Sequence, residues 1–354
     1  MKVIEHLDKA SDSLISFEII PPKRGGSFSN LEKVITDIAK YNPPFIDVTS
    51  HAAVVEYIDL DDGRHKRVLR RKRPGTLGIC SVIQHKYGID AIPHLLCTGF
   101  TREETEDLII DLNYLGIDNV LAIRGDMNGF QKPIPQGKTR NEYAADLVNQ
   151  KPNHSKLWGM FRLILGFWCL LLISRCKQRG MNPFANNQIT DMNKGIYLTL
   201  EPNASPTDFC IGVAGYPEKH FESPNIEVDI HHLKKKIDAG ASYVVSQLCY
   251  DNQKYFNFIK ECNNKGIDVP IIPGIKIITA KSQLLNIPKT FHVDIPYGLY
   301  QEIMESEDKH VEEIGVNWAV KQARELLNAK VPAVHFYIMQ STRSINEVMK
   351  QLYK

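Results

Sequence analysis

Eight short apolar segments alternate with amphipathic stretches along this chain of 354 residues, and that alternation constrains the fold most strongly. The segments are rich in Val, Ile and Phe and almost continuously apolar, as expected for parallel strands covered on both faces. Strands that alternate with helices build an α/β fold. The predicted strands are Leu14–Ile20, Phe45–Thr49, Ile92–Cys97, Asn119–Arg124, Phe209–Ala214, Tyr243–Cys249, Val269–Ile275 and Ala333–Met339.

Helix signals fill the intervals, and the clearest follows the third strand. Thr101 is a favourable N-cap, Glu104 stands at the capping-box position, and Gly116 ends the helix. The same criteria predict helices at Asn30–Tyr41, Val228–Ala239, Gln253–Lys265, Val311–Asn328 and Ser344–Tyr353.

Eight strand–helix units of this length favour a (β/α)8 TIM barrel over the alternative, a doubly wound open sheet. Barrels gather their chemistry at the carboxyl ends of the strands, and polar residues such as Glu18, His94 and Gln247 occupy those positions here. No Gly-x-Gly-x-x-Gly sequence follows the first strand, which argues against a dinucleotide-binding sheet. We predict a single barrel domain over residues 1–354.

One segment interrupts the fourth crossover helix. The pair Asn149-Gln150 recurs as Asn187-Gln188, and removing residues 151–188 restores helical spacing between Val148 and Met192. We interpret 151–188 as an apolar insertion within that helix.

The insertion contains an apolar run, 157–174, that just reaches the length of a membrane span. A span at this point would separate the two halves of the barrel, so they could not pair. We expect the run to pack on the barrel, to contact another subunit or to lie peripherally on a membrane. Elsewhere we expect no membrane contact.

Charge and cysteine content exclude several classes of function. Lys and Arg number 43 against 41 Asp and Glu, and a net charge of +2 gives no indication of a nucleic-acid partner. The basic run 64–73 is isolated and is interpreted as an exposed segment at the barrel rim. None of the seven cysteines forms a Cys-x-x-Cys pair, so no metal site is predicted. The first residues lack the apolar core of a signal peptide, and a cytoplasmic location is expected.

Glu18 stands in the apolar sequence SFEIIPP, between Phe17 and Ile19. A carboxyl group in an apolar pocket has a raised pKa and can act as a general acid near neutral pH. The alternative is a carboxylate that forms an ion pair with Lys23 or Arg24, and the sequence does not decide between the two.

Three further groups of residues stand at predicted strand ends. Arg124, Gly125 and Asp126 begin a glycine-rich loop, either as a ligand site or as an internal Arg–Asp ion pair. His94 has no ligand partner at metal spacing, and such an isolated core histidine is more often structural. The third group shares one helix face, which suits phosphate or ribose oxygens or else is a solvated surface: Asp229, His232 and Lys236.

Taken together, eight motifs resemble the methylenetetrahydrofolate reductase family, and they occur in the family's order. The resemblance covers most of the chain outside the insertion and is closest to bacterial forms that consist of the catalytic domain. The motifs are SFEIIPP, FIDVTSHAA, PHLLC, LAIRGD, VAGYPEKH, KKKIDAGASYVVSQLCYD, IIPGI and VHFY.

The resemblance implies a (β/α)8 barrel that holds FAD, which NADH or NADPH reduces before methylenetetrahydrofolate takes the hydride and becomes 5-methyltetrahydrofolate. It implies that Glu18 is the general acid and that Asp126 lies near flavin and pterin. Flavin contacts are implied at Thr49, Ser50, Ala52, His94, Arg124, Gly125, Asp126, Tyr143, Tyr216, His220, Asp229, His232, Lys235 and Lys236. Folate contacts are implied at Glu18, Gln247, Gln283 and Arg343.

Several positions depart from the residues usual in the family, namely Ser50, His232, Lys235 and Ile287. Because family members self-associate, a homo-oligomer is expected. Two other hypotheses stay open at this point: a noncatalytic or membrane-associated barrel inactivated by the insertion, and another FAD-barrel oxidoreductase of the proline dehydrogenase type.

Overall fold

The computed structural model describes residues 1–71, 73–125, 136, 138–148, 192, 206–339 and 341–353. Its strands are β1 (Leu14–Ile19), β2 (Phe45–Val48), β3 (Ala53–Asp59), β4 (His65–Arg71), β5 (Asp90–Leu96), β6 (Asn119–Ile123), β7 (Cys210–Gly215), β8 (Tyr243–Leu248), β9 (Ile271–Ile275) and β10 (Ala333–Met339). Its helices are α1 (Val3–Lys9), α2 (Phe28–Ala39), α3 (Thr76–Tyr87), α4 (Arg102–Tyr114), α5 (Ala144–Val148), α6 (Ile226–Asp238), α7 (Asn252–Asn264), α8 (Gln283–Phe291), α9 (Tyr297–Glu305), α10 (Val311–Asn328) and α11 (Arg343–Leu352), with a short 3-10 turn at Asp308–His310.

Eight of these strands close into a parallel barrel in the order β1–β2–β5–β6–β7–β8–β9–β10. Closure comes from β1, which pairs with β2 on one side and with β10 on the other. The predicted (β/α)8 TIM barrel is therefore confirmed, and the open sheet is excluded. Each predicted strand matches an observed one to within two residues at either end.

The capping signals after β5 are also confirmed. Thr101 Oγ1 accepts a hydrogen bond from the Glu104 backbone N–H at 3.1 Å, and the Glu104 carboxylate accepts one from the Thr101 N–H at 2.9 Å. This reciprocal pair satisfies two N–H groups that the first turn of α4 leaves without helical partners.

An antiparallel hairpin of β3 and β4, which was not predicted from the sequence, lies between β2 and α3. The basic run 64–73, expected to be an exposed segment at the barrel rim, is mostly strand β4, and this strand is exposed except at the half-buried Val68. The turn between the two strands contains Asp62 and Gly63, a common hairpin pair. Because β4 is solvated on both sides, it lacks the apolar alternation that marks a half-buried strand.

The amino end of the barrel is sealed by apolar side chains. Phe45, Ile92 and Tyr243 pack together inside it, and Val3 of α1 covers them from below. The Val3 backbone N–H donates to Asn119 Oδ1 at 2.8 Å, which fixes α1 across this opening. Ligands can therefore enter from the opposite end of the barrel, where the strands end.

The fourth crossover lies partly outside the described residues, and the predicted insertion and its apolar run fall there. On either side of it, Val148 and Met192 are fully buried in the same apolar core. No helix in the described part of the chain is long and apolar enough to span a membrane.

Candidate active site

The strands present alternate side chains to the barrel interior, and β1 shows how this places Glu18. Phe17 and Ile19 pack outward against the helices. Ser16 faces inward, where its hydroxyl and His335 Nδ1 lie 2.8 Å apart in a hydrogen bond. Glu18 follows two residues later on the same inner face, nearer the open end.

Glu18 lies within a buried cluster that we call the inner acid cluster, made of Glu18, Asp47 and His94. His94 Nε2 lies 3.5 Å from Glu18 Oε2 and 3.4 Å from Asp47 Oδ1. The side chains are 13%, 1% and 5% exposed for Glu18, Asp47 and His94 respectively. Both contacts have ion-pair distances but lack the directed geometry of hydrogen bonds, since His94 Nε2 has no hydrogen-bond partner among the described residues.

Burial raises the pKa of Glu18 to about 7. The neighbouring His94 opposes this shift, the negative charge of Asp47 adds to it, and Lys276 opposes it. A carboxyl group with this pKa is partly protonated near neutral pH and can donate a proton. The alternative ion pair of Glu18 with Lys23 or Arg24 is not observed among the described residues: Glu18 lies beside His94, and Arg24 Nε donates to the backbone oxygen of Arg71.

His94 is not isolated, as its sequence context suggested, because carboxylate oxygens of Glu18 and Asp47 lie within 3.5 Å of its Nε2. Burial alone would lower the pKa of His94, but the carboxylates of Asp47 and Glu18 outweigh it and raise the pKa overall. The sequence could not reveal these partners because they lie on separate strands, β1 and β2, that meet β5 only in the closed barrel.

A second group lies after β6 and β7 around Arg124. Its guanidinium forms an ion pair with Glu222 and lies 5.1 Å from the ring centroid of Tyr143. The rings of His220 and Tyr216 pack nearly perpendicular to each other, with their centroids 4.8 Å apart. Gly125 has φ +85°, a conformation that glycine adopts without strain.

Lys236 and Asp229 extend this second group from α6. Lys236 Nζ donates to the backbone oxygen of Ala214 at 2.5 Å, and burial lowers the pKa of Lys236 to about 8 although Asp229 opposes the shift. Asp229 is buried and accepts a hydrogen bond from the Ser223 hydroxyl at 2.8 Å. The alternative of a wholly solvated face is therefore wrong for these two residues, whereas His232 is exposed.

Lys235, on the same helix as His232, is also exposed. After β2, the backbone oxygen of Thr49 accepts a hydrogen bond from the Thr76 hydroxyl at 3.0 Å, and the half-buried Ser50 follows. Ala52 lies close to Gly99, where an added Cβ would stand 2.7 Å from the Cβ of Ala52.

The residues expected to contact folate lie on four different elements, β1, β8, α8 and α11. Gln247 lies near the end of β8, and its side-chain oxygen accepts from the Leu248 backbone N–H at 2.9 Å. The Gln283 side-chain oxygen accepts from the Thr279 N–H at 2.7 Å, which ties it to the loop before its own helix. Arg343 is 82% exposed and pairs with a carboxylate of α10 at 3.4 Å. Asp126 lies outside the described residues.

Asp47 and Lys276 also belong to this site, and neither was predicted from the sequence. A signal for Asp47 was present, because it is an acidic residue within the otherwise apolar strand Phe45–Val48. Lys276 follows β9 directly. In the described part of the chain, no three His, Cys, Asp or Glu side chains are grouped to hold a metal ion.

Comparison with known sequences decides the family of the chain. A sequence model of methylenetetrahydrofolate reductase matches residues 2–155 and 197–353. The chain belongs to the methylenetetrahydrofolate reductase family. This result confirms the resemblance seen in the motifs.

Individual family members show how much of the protein is shared. The 5,10-methylenetetrahydrofolate reductase of Salmonella typhimurium is 27% identical, over 92% of this chain and 86% of that protein. Methylenetetrahydrofolate reductase 1 of Schizosaccharomyces pombe is 26% identical, over 98% of this chain. The chain spans about half the length of that fission-yeast protein and of its nematode and plant relatives, from 43% to 51%.

One solved structure shares the fold along its whole length. It is a protein from Clostridium thermocellum described as binding two copies of 5-methyl-5,6,7,8-tetrahydrofolic acid, with a TM-score of 0.54, 14% identity and 99% of each chain covered. At this identity the likeness shows the barrel fold of the chain.

Proposed function

We propose that this protein is a FAD-dependent oxidoreductase that reduces 5,10-methylenetetrahydrofolate to 5-methyltetrahydrofolate, with NADH or NADPH as reductant. The observation that carries the proposal is the position of Glu18, which is buried beside His94 at the open end of a barrel that belongs to this family, where burial raises its pKa to about 7. The described folate binding of the Clostridium thermocellum protein supports the same substrate class.

The reaction adds one hydride and one proton to the folate, and the proton requires a donor. A protonated Glu18 would give its proton to the folate nitrogen as the carbon–nitrogen bond of the five-membered ring breaks. The carbon left behind is an iminium carbon, which then accepts the hydride. A carboxyl group that is about half protonated near pH 7 supplies this proton better than one with an ordinary pKa near 4.5.

The second group fits the binding of FAD. Arg124 and Lys236 would bind its pyrophosphate as cationic donors, and Asp229 would accept hydrogen bonds from ribose hydroxyls. Gly125 permits a close approach of the backbone to FAD, because glycine has no side chain and adopts a positive φ without strain. Bound FAD would supply a hydride carrier between the nicotinamide and the folate. By resemblance, Asp126 would contact both flavin and pterin.

We propose further that residues 151–188 are an insertion that leaves the barrel closed. The family model matches the chain on both sides of residues 156–196. Val148 and Met192 also share one core, as a continuous helix would require.

The test is anaerobic absorption spectroscopy of the purified full chain and of a chain that lacks residues 151–188. Both are expected to show the visible bands of oxidised flavin, to bleach with NADH or NADPH, and to recover colour with methylenetetrahydrofolate. Reduced flavin that the folate cannot reoxidise would contradict the proposed activity. Loss of flavin from the shortened chain alone would contradict the assignment of the insertion.

A further inference from the structure

Asp47 is a fully buried carboxylate inside the barrel, and the proposed function gives it no role. Its Cα is in register with that of Glu18 on the adjacent strand, so both side chains face the interior at the same level. Neither carboxylate oxygen of Asp47 accepts a hydrogen bond from the described residues. A buried charge of this kind is costly unless a nearby group compensates it.

The compensating group is the single nitrogen His94 Nε2, which both carboxylates of the inner acid cluster approach within 3.5 Å. Because the two carboxylate groups lie this close together, their mutual repulsion favours the binding of one proton by the cluster. That proton resides on the Glu18 carboxyl or on the His94 imidazole. In either position the cluster has a net charge of −1, and the negative charge of Asp47 favours keeping the proton.

We propose that Asp47 is a positioning residue that acts through His94 to hold, beside Glu18, the proton that the folate receives. The inference rests on the proposed function. When the folate nitrogen takes the proton, the charge of the cluster changes from −1 to −2, and water at the open end of the barrel supplies the replacement proton.

The other titratable groups around the cluster fit this assignment. Lys276, at the end of β9, places a positive charge near Glu18, which lowers the pKa of that carboxyl. Burial lowers the pKa of His335 and raises the pKa values of Tyr243 and Tyr337, so these three groups are neutral near pH 7. Burial also keeps a thiol on α3 protonated, that of Cys80. Asp47 therefore supplies the negative charge next to the shared proton.

Substituting Asp47→Asn removes this charge with almost no change of shape. The cluster should then lose its proton at a lower pH, because the remaining carboxylate and imidazole form a less negative pair. The first measurement is a nuclear magnetic resonance titration of the labelled imidazoles in the full chain with flavin bound. The His94 pKa is expected to fall by about one unit or more.

The second measurement follows the two half-reactions separately by stopped-flow absorbance as a function of pH. In the Asp47→Asn enzyme, the basic limb of flavin reoxidation by methylenetetrahydrofolate should shift to lower pH. Flavin reduction by the nicotinamide cofactor should keep its rate. Asp47→Ser, which also removes the charge, should give the same shifts and replaces Asp47→Asn if that variant does not fold.

Tyr243→Phe is the matched control, because it removes a buried hydroxyl from the same barrel interior without changing charge. It should leave both measurements unchanged. An unchanged His94 titration in Asp47→Asn, or equal slowing of both half-reactions with an unmoved pH limb, would overturn the inference. A wild-type enzyme whose reduced flavin methylenetetrahydrofolate does not reoxidise would instead overturn the proposed function, and the role of Asp47 with it.

Discussion

Glu18 owes its raised pKa to the chain around it. An aqueous glutamate would be ionised at neutral pH, but inside the barrel the charged form loses hydration that no cationic partner fully replaces. His94 and Lys276 oppose the resulting rise in pKa, and Asp47 supports it. Desolvation is the largest of these effects, so the position of the residue on the inner face of β1 determines its chemistry.

The raised pKa of Glu18 predicts how the free energy of unfolding depends on pH. Because the Glu18 pKa is 4.5 without these interactions and about 7 in the folded protein, folding favours the protonated carboxyl. The associated stability is fully present below pH 4.5 and is lost as the pH rises through 7. Glu18→Gln avoids this loss, so its free energy of unfolding relative to wild type should rise by about 2 kcal/mol between pH 5 and pH 8.

Urea denaturation of the flavin-free proteins at several pH values measures this difference. Glu302→Gln, on the exposed surface of α9, is the control and should follow the wild-type pH dependence. A constant difference between Glu18→Gln and wild type across this range would show that the Glu18 pKa is not raised.

The sequence predicted part of this site and could not predict the rest. Glu18 was found because an acidic residue within an apolar strand is itself a signal of burial. The same signal at Asp47 was not used. The roles of His94 and Asp47 depend on contacts across neighbouring strands, and strand neighbours are set by barrel closure rather than by local sequence.

Among the elements, β9 and β10 show how closely the barrel is packed near the site. The ring of Tyr337 lies over Gly274, and its hydroxyl donates to the Ser246 backbone oxygen at 2.6 Å. A Cβ added at Gly274 would stand 2.5 Å from Cε2 of Tyr337 and 2.6 Å from that same oxygen. Glycine is required here because the ring of Tyr337 crosses the backbone of the neighbouring strand.

Gly274→Ala is therefore expected to lower the free energy of unfolding by about 1–3 kcal/mol through overpacking. Gly78→Ala is the matched control: it lies on the exposed face of α3 with nothing within 4 Å of an added Cβ, and should raise that free energy by about 0.5–1 kcal/mol. Urea denaturation followed by circular dichroism measures both. Equal effects of the two substitutions would contradict the packing described for β9 and β10.

The elements themselves were largely predictable because burial on both faces leaves an unambiguous apolar run. The strands of the barrel and the capped helix α4 follow from such local signals. The hairpin of β3 and β4 did not, since β4 is exposed at every position except the half-buried Val68 and therefore lacks a burial pattern. Helices α1, α3, α8 and α9 were missed as well; Pro288 lies inside α8 and obscures its pattern.

At the scale of the whole molecule, the chain corresponds to most of the length of its bacterial relative and to about half that of the fission-yeast enzyme. The barrel alone places the inner acid cluster and the second group at one open end, because all eight of its strands run parallel. Self-association stays a prediction from the family resemblance.

A stopped-flow comparison of the Glu18→Gln and wild-type proteins, each loaded with FAD, tests the proposed role of Glu18 most directly. Glutamine keeps the size of the side chain but cannot donate the acid proton. NADH or NADPH should reduce the flavin of both proteins at similar rates, whereas reoxidation by methylenetetrahydrofolate should slow by at least about 100-fold in the variant. Reoxidation at the wild-type rate, or equal loss of both half-reactions, would contradict the assignment of Glu18 as the proton donor.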